Sequence, residues 1–327
     1  MKPFRISSPR LAQPPPVLIM KNVSYLLPGV FYALFGCSSS GAPASEQPTT
    51  KPASAAVAAA APAAKGKVLV VLSSRQEIPL QAGKTYRTGY YLNELMTPVE
   101  AIIRAGYEPV FANPKGNAVA ADEHSLSADY FGKDTSRYRR ILQLRASLTQ
   151  LRQPRKLADV VQSGLDGYRG VFFPGGHAPM GDLLTDPAVG QVLRYFHAQQ
   201  KPTVLICHAP IALLAANPGA VAFTTALAAG QPAQKLASGW PYQGYRMTVF
   251  STAEEKVAEG KQLGGKVLFY PDAALRAAGG RVQTAKEWSS NVVQDRELIT
   301  GQNPFSDDRL SQLFVEALNA SPAPAHL

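Results

Sequence analysis

The chain has 327 residues, 46% of them hydrophobic, and a formal charge of +10. That is enough apolar content for a sizeable core and, by length, one or two domains. Two cysteines, Cys37 and Cys207, exclude a disulfide framework and a cysteine-rich metal site.

Residues 1–19 are Pro-rich and aperiodic, and Met20-Lys21 opens a second beginning, so 1–19 reads as an upstream start-site extension. Asn22 to Ser45 carries no charge, and a short apolar run ends in Leu34-Phe35-Gly36-Cys37. A basic start, a short apolar core and a cysteine are the pattern of a bacterial lipoprotein signal. Residues 20–36 are therefore expected to be the signal and Cys37 the lipidated residue. The rival is a disordered cytoplasmic tail with an accidental cysteine. Residues 37–66 are Ala-, Pro- and Ser-rich and too poor in large apolar side chains to fold, which suits a tether. The expected location is the cell envelope, lipid-anchored on the periplasmic side.

Lys67–Ser73 is an apolar strand of the kind buried in parallel sheets. A polar loop follows to Gly89, then a helix over Tyr91–Ala105 with Leu92, Leu95, Val99, Ile102 and Ile103 on one face. Glu108–Ala112 is a second strand, completing a βαβ start. Asn113–Asp166 is long for a connection and reads as an insertion near a site. Between Lys133 and Lys156 it holds Lys133, Arg137, Arg139, Arg140, Arg145, Arg152, Arg155 and Lys156, opposed there only by Asp134. With no zinc finger, RNA-recognition motif or basic–aromatic interleaving, this reads as a solvated helical face rather than a nucleic-acid site.

Tyr168–Pro174 is a third strand, ending in Gly175-Gly176-His177. Asp186–Gln199 is a helix with Pro187 in its first turn. Thr203–Ile206 is a strand that stops at Cys207-His208, and a helix-like apolar run resumes at Ala209. Gly219–Gly244 is a second loop-rich insertion. Tyr245–Phe250 is expected as a strand, Thr252–Glu259 as an acidic helix start, Val267–Tyr270 as strand-like and Asp272–Ala278 as helical. Arg281–Ala285 and Asn291–Gln294 are expected to pair as an edge. Leu298-Ile299-Thr300-Gly301-Gln302-Asn303-Pro304 is a strand feeding a helix over Asp307–Leu318. Residues 67–320 form one α/β domain with two insertions, and 321–327 a disordered tail.

A nucleophile on a strand-to-helix elbow is a recurring device. The amino end of the following helix would favour a thiolate and lower the Cys207 pKa. A lone cysteine in an apolar strand is otherwise a small core residue. Glu94 is solvent-facing by default, His177 could cap its loop, and Glu254-Glu255 suit the first turn of a helix.

Together, strand-Gly175-Gly176-His177, Val204-Leu205-Ile206-Cys207-His208-Ala209-Pro210-Ile211-Ala212 and Leu298 to Pro304 resemble the ThiJ/PfpI superfamily, within the class I glutamine amidotransferase-like fold. Thr88-Gly89, Glu94 and Asp122-Glu123-His124-Ser125-Leu126 resemble its stress-inducible glyoxalase III and chaperone branch. The resemblance implies a flavodoxin-like three-layer sandwich with a mostly parallel central sheet and a nucleophile elbow. It implies Cys207 as nucleophile, His208 in proton transfer, Glu94 against the sulfur and Glu255 as the acidic third member, with Glu254 as the fallback one register away. Gly176 would donate to an oxyanion, and His177 and Ala209 would border the substrate. Ala178 and Ala209 stand where many relatives have glycine, and their methyls are expected to narrow the pocket.

The implied reaction is glutathione-independent conversion of methylglyoxal to lactate, with a small dicarbonyl as substrate and no cofactor or metal. The expected partners are that substrate and a membrane reached through the lipid anchor, with no nucleic acid; a homodimer is compatible with this reading. The rivals are a holdase chaperone and a cysteine amidase or peptidase on the same fold.

Overall fold

The structure, a computed structural model, describes residues 64–320. The expected signal, Cys37, most of the 37–66 tether and the 321–327 tail lie outside the described residues. Among the described residues no helix is long and apolar enough to cross a membrane.

In chain order the strands and helices begin with β1 (Lys67–Val71), a hairpin of β2 (Glu77–Pro79) and β3 (Thr85–Arg87), α1 (Leu92–Arg104) and β4 (Glu108–Asn113). The first insertion holds α2 (Thr135–Ser147), a two-residue β5 (Arg155–Lys156) and α3 (Leu157–Gln162). β6 (Tyr168–Phe173), α4 (Pro187–Ala198) and β7 (Thr203–Ile206) follow, then α5 (Ala220–Ala228), β8 (Arg246–Met247), α6 (Thr252–Ala258) and α7 (Pro271–Ala277). The chain ends in β9 (Arg281–Val282), β10 (Val292–Asp295), β11 (Leu298–Gly301) and α8 (Asp307–Ala320).

Seven strands form the central sheet in the order β10-β11-β7-β6-β1-β4-β5. All its pairs are parallel except β10 with β11. Strand side chains alternate between two cores, as the period of two requires. Leu69, Val71, Val171, Phe173 and Leu205 join α3, α4 and α7 on one face. Val68, Val70, Phe172, Val204 and Ile206 join α1 and α8 on the other. Both faces are covered, which is why these strands are apolar without interruption. The result is the expected flavodoxin-like three-layer sandwich.

Several expectations need correction. The loop before α1 contains the β2–β3 hairpin, and the second insertion contains α5. Ile103 is 37% exposed rather than part of the α1 core face. Ala209–Ala216 winds as a 3-10 helix and is buried on every side, as a run with no polar face must be. Only Arg246–Met247 of Tyr245–Phe250 is strand. Downstream, the Thr248 N–H donates to the Thr300 hydroxyl and the Phe250 N–H to the Cys207 carbonyl, so the site takes the groups a ladder would use. Val267–Tyr270 is irregular, because the Val267 N–H donates to Glu259 and its carbonyl accepts from Gln81. The two edge segments do not pair with each other: β9 pairs with β8, and β10 with β11.

The basic segment is a largely exposed helical face, as expected. Arg137 pairs with Asp308 and Arg140 with Glu100, which pins α2 to α8 and α1.

Candidate active site

β6, β7 and β11 are adjacent, so the segments leaving their carboxyl ends meet. Gly175-Gly176-His177 follows β6, Cys207-His208 follows β7 and Gln302-Asn303 follows β11. The Cys207 N–H donates to the Gly301 carbonyl (2.8 Å), which ties the elbow to β11. Cys207 has φ +61°, a left-handed conformation costly for a residue with a Cβ. Gly175 packs so closely that a Cβ there would lie 2.5 Å from the Cys207 Cβ and would also strike the Glu94 carboxylate.

Cys207 Sγ lies 3.2 Å from His208 Nδ1, and His208 Nε2 lies 2.6 Å from Glu255 Oε2. The other Glu255 oxygen, Oε1, meets His177 Nε2 at 2.8 Å. The two imidazoles lie tilted with centroids 3.9 Å apart, and Phe250 stacks on His208 at 4.4 Å. All four groups are buried. Burial alone would raise the Glu255 pKa, but the charges and hydrogen bonds of His177 and His208 outweigh it and hold the carboxyl well below its usual range. Burial, then His177, lowers the pKa of His208. A neutral His208 that gives its Nε2–H to a carboxylate turns the Nδ1 lone pair toward the thiol.

Glu94 also lies against the sulfur. It is fully buried, and neither of its oxygens makes a regular hydrogen bond. Burial, with Asp307 adding to it, raises its pKa to about 8, against the opposing pull of the Cys207 thiol and the Gly176 N–H. Burial and Glu94 push the Cys207 thiol well above its ordinary pKa. This corrects the expected lowering of the Cys207 pKa: burial and Glu94 outweigh the amino end of the short 3-10 turn. Burial thus favours the neutral thiol and the neutral carboxyl group.

Glu94 also sets a pH dependence. Its folded pKa lies above the unfolded value of 4.5, so the folded protein binds the extra proton between these two values. Stability therefore falls as pH rises through that window, by at most about 1.4 kcal/mol per pH unit. Glu94→Gln fixes the neutral form. Its melting-temperature advantage over wild type is expected to widen from pH 6 to pH 8.5; a constant difference would show that Glu94 titrates normally.

The structure decides between the two glutamates of α6. Consecutive helical residues point about 100° apart, so one of them faces the histidines. That residue is Glu255. Glu254 instead accepts from the Ser251 N–H and hydroxyl, Gln302 Nε2, the Trp288 N–H and Asn303 Nδ2, all at 2.7–3.0 Å. It caps α6 and clamps the Trp288 loop.

A cavity of about 310 Å³ opens onto the sulfur. Cys207, His208, Gly176 and His177 form its floor, and Tyr91, Tyr130, Phe250 and Trp288 its aromatic wall. His124 of the first insertion also borders it. Asp122, buried behind, accepts from the Tyr86 and Thr88 hydroxyls and the His124 N–H. Ala209 does not border the cavity, contrary to expectation: it turns into the core beneath the elbow. Ala178 lies outside the wall as well, so neither methyl narrows the pocket. Sequence reasoning missed the aromatic wall, Lys261 and Gln262. Tyr90-Tyr91 beside Gly89 was the available signal; Trp288 had none.

His177, His208 and Glu255 place three potential metal-donor atoms within 4.8 Å of one another. A cation there would displace the hydrogen bonds of the relay.

A cysteine on a left-handed elbow, hydrogen-bonded through a histidine to a buried glutamate and with a second buried carboxyl group beside the sulfur, lies at the carboxyl edge of the sheet of a flavodoxin-like α/β protein. The DJ-1/PfpI family profile matches residues 86–229. It is 28% identical over 262 residues to the protein/nucleic acid deglycase HchA of Staphylococcus aureus, covering 78% of this chain and 81% of that one. Its fold is similar to that of the Francisella tularensis Rapid Encystment Protein 24 kDa, with TM-score 0.58 and 22% identity over 77% of this chain and 99% of that one. It is also similar to Candida albicans glyoxalase III, with TM-score 0.53 and 20% identity over 77% of this chain and 97% of that one.

Proposed function

We propose that the protein is a cofactor-independent enzyme of the glyoxalase III and deglycase type, which converts a 2-oxoaldehyde to a 2-hydroxy acid. The observation that carries this reading is the Cys207–His208 pair at the floor of one cavity, with Glu255 behind the imidazole and the buried Glu94 beside the sulfur, its carboxyl pKa raised.

Cys207 adds to the aldehyde carbon as His208 Nδ1 takes the thiol proton. A thiolate formed in contact with substrate is a far better nucleophile than a hydroxyl. The new oxyanion is met by the Gly176 N–H and by the carboxylic acid of Glu94, fixed donors in a dry site. A base among His208, His177 and the Glu94 carboxylate then moves the hemithioacetal C–H proton to the neighbouring carbon through an enediol. The resulting thioester is hydrolysed, which returns the thiol and releases the hydroxy acid. Methylglyoxal and water thus give lactate with no net redox change.

The cavity is larger than methylglyoxal requires, which favours a second reading: the same chemistry on a dicarbonyl adduct carried by a thiol or amine. The deglycase name of the Staphylococcus aureus relative points the same way.

The test is lactate formation by the purified full chain from methylglyoxal without glutathione, and from a preformed N-acetylcysteine–methylglyoxal adduct with an aldehyde scavenger. Lactate from the first alone supports the glyoxalase. Lactate from the adduct despite the scavenger supports the deglycase. Lactate from neither overturns both.

A further inference from the structure

The cavity wall is electrostatically one-sided. Among the described residues no Asp or Glu borders it, and Lys261 is its one Lys or Arg. The acids nearby, Glu94 beside the sulfur included, are not among the residues that line the cavity. Glu255 is held between two imidazoles, Glu254 is clamped by five donors, and Asp122 sits behind His124. On the Lys261 turn itself, Glu259 accepts from the Val267 N–H and the Tyr270 hydroxyl. Among the described residues no carboxylate forms an ion pair with Lys261.

The backbone places the lysine where a substrate can meet it. α6, which carries Glu255, runs on into a single π-helical turn at Glu259–Leu263. Such turns concentrate at functional sites, because the extra residue re-aims side chains. Val257, Ala258, Lys261 and Gln262 consequently share the cavity wall. Gln262 Nε2 donates to the Tyr91 hydroxyl at 2.9 Å, and that hydroxyl meets Tyr130 at 3.2 Å. This latch fixes the turn against the opposite wall. The space is ample: about 310 Å³ is room for roughly ten waters at about 30 Å³ each.

We propose that Lys261 selects the substrate: the preferred 2-oxoaldehyde carries an anionic group, a carboxylate or a phosphate, remote from the aldehyde and seated against the Lys261 ammonium. This rests on the proposed reaction and narrows its substrate class. Lys261 acts on binding and takes no part in proton transfer.

The test compares phenylglyoxal with 4-carboxyphenylglyoxal, and hydroxypyruvaldehyde with its phosphate, in wild type, Lys261→Met and Lys261→Arg. The anionic member of a pair is expected to have a kcat/KM about two- to fivefold higher in wild type, the size of an exposed ion pair. Lys261→Met should abolish that ratio through KM, and Lys261→Arg should keep it. Preference within one pair alone identifies the carboxylate or the phosphate as the group recognised. A second readout needs no turnover: the rate of Cys207 alkylation by iodoacetate relative to iodoacetamide should fall in Lys261→Met. Ratios equal in wild type and Lys261→Met overturn the proposal. Inert dicarbonyls with a Lys261-dependent alkylation ratio overturn the reaction and leave the anion preference standing.

Discussion

Cys207→Ser is expected to lose at least about 10⁴-fold in kcat/KM toward the best 2-oxoaldehyde while keeping the wild-type fold. The two side chains are nearly isosteric, and the 3.2 Å contact with His208 Nδ1 survives the change. What is lost is the ease of ionisation. The site pushes even the thiol above its ordinary pKa, through burial and then Glu94. A hydroxyl starts several units higher, and a neutral, buried His208 is too weak a base to make up the difference. Lactate assays and melting curves on the same preparation check this. A serine variant retaining a few per cent of activity would mean that the sulfur is not the nucleophile. The raised thiol pKa adds a signature: alkylation of Cys207 by iodoacetamide should be slow at pH 7 and accelerate with pH.

The parts of the fold that were legible in the sequence are those whose physics is local. β1, β6 and β7 are apolar throughout because both sheet faces are covered. The helix at Pro187–Ala198 announces itself by Asp186, whose side chain accepts from the Ala188 and Val189 N–H groups, and by proline in the first turn. The site residues were legible through their motifs, since Gly175-Gly176-His177 and Cys207-His208 end neighbouring strands. Other features depended on groups distant in the chain. Tyr245–Phe250 has the residues of a strand, but its amides are claimed by Thr300 and Cys207. Glu94 looks like a solvent-facing helical acid until α1 is laid over the elbow. The sign of the thiol pKa follows from that packing: a local reading sees a helix amino terminus, whereas the folded site presents a buried carboxylic acid. The cavity wall was least legible, because Tyr91, Tyr130, Lys261 and Trp288 come from four separate segments that share no pattern.

The second large effect separates the adjacent acids of α6. Glu255→Gln is expected to reduce kcat by about 10³- to 10⁴-fold, the loss seen when the orienting carboxylate of a serine-protease triad becomes an amide. The carboxylate accepts from two Nε2–H groups at once, His177 through Oε1 and His208 through Oε2. A glutamine side chain has one carbonyl oxygen and one NH₂, so one imidazole must give up its Nε2–H and carry the proton on Nδ1. When that imidazole is His208, an N–H faces the sulfur and the base is gone. The depressed pKa of Glu255 makes the same point in stability. Its charged form is stabilised by folding, a contribution present above the unfolded carboxyl pKa and lost as pH falls toward the lower folded one. Replacing these charge-assisted hydrogen bonds is expected to cost about 1.5–3 kcal/mol as well. Glu254→Gln should behave differently. It loosens five hydrogen bonds around Ser251, Trp288, Gln302 and Asn303 without touching either imidazole. Its melting temperature should fall while kcat stays within about tenfold and the Cys207 alkylation rate is preserved. If Glu254→Gln silenced the thiol and Glu255→Gln spared it, the relay would run through the other glutamate, and the two histidines would be bound to a carboxylate with no part in the chemistry.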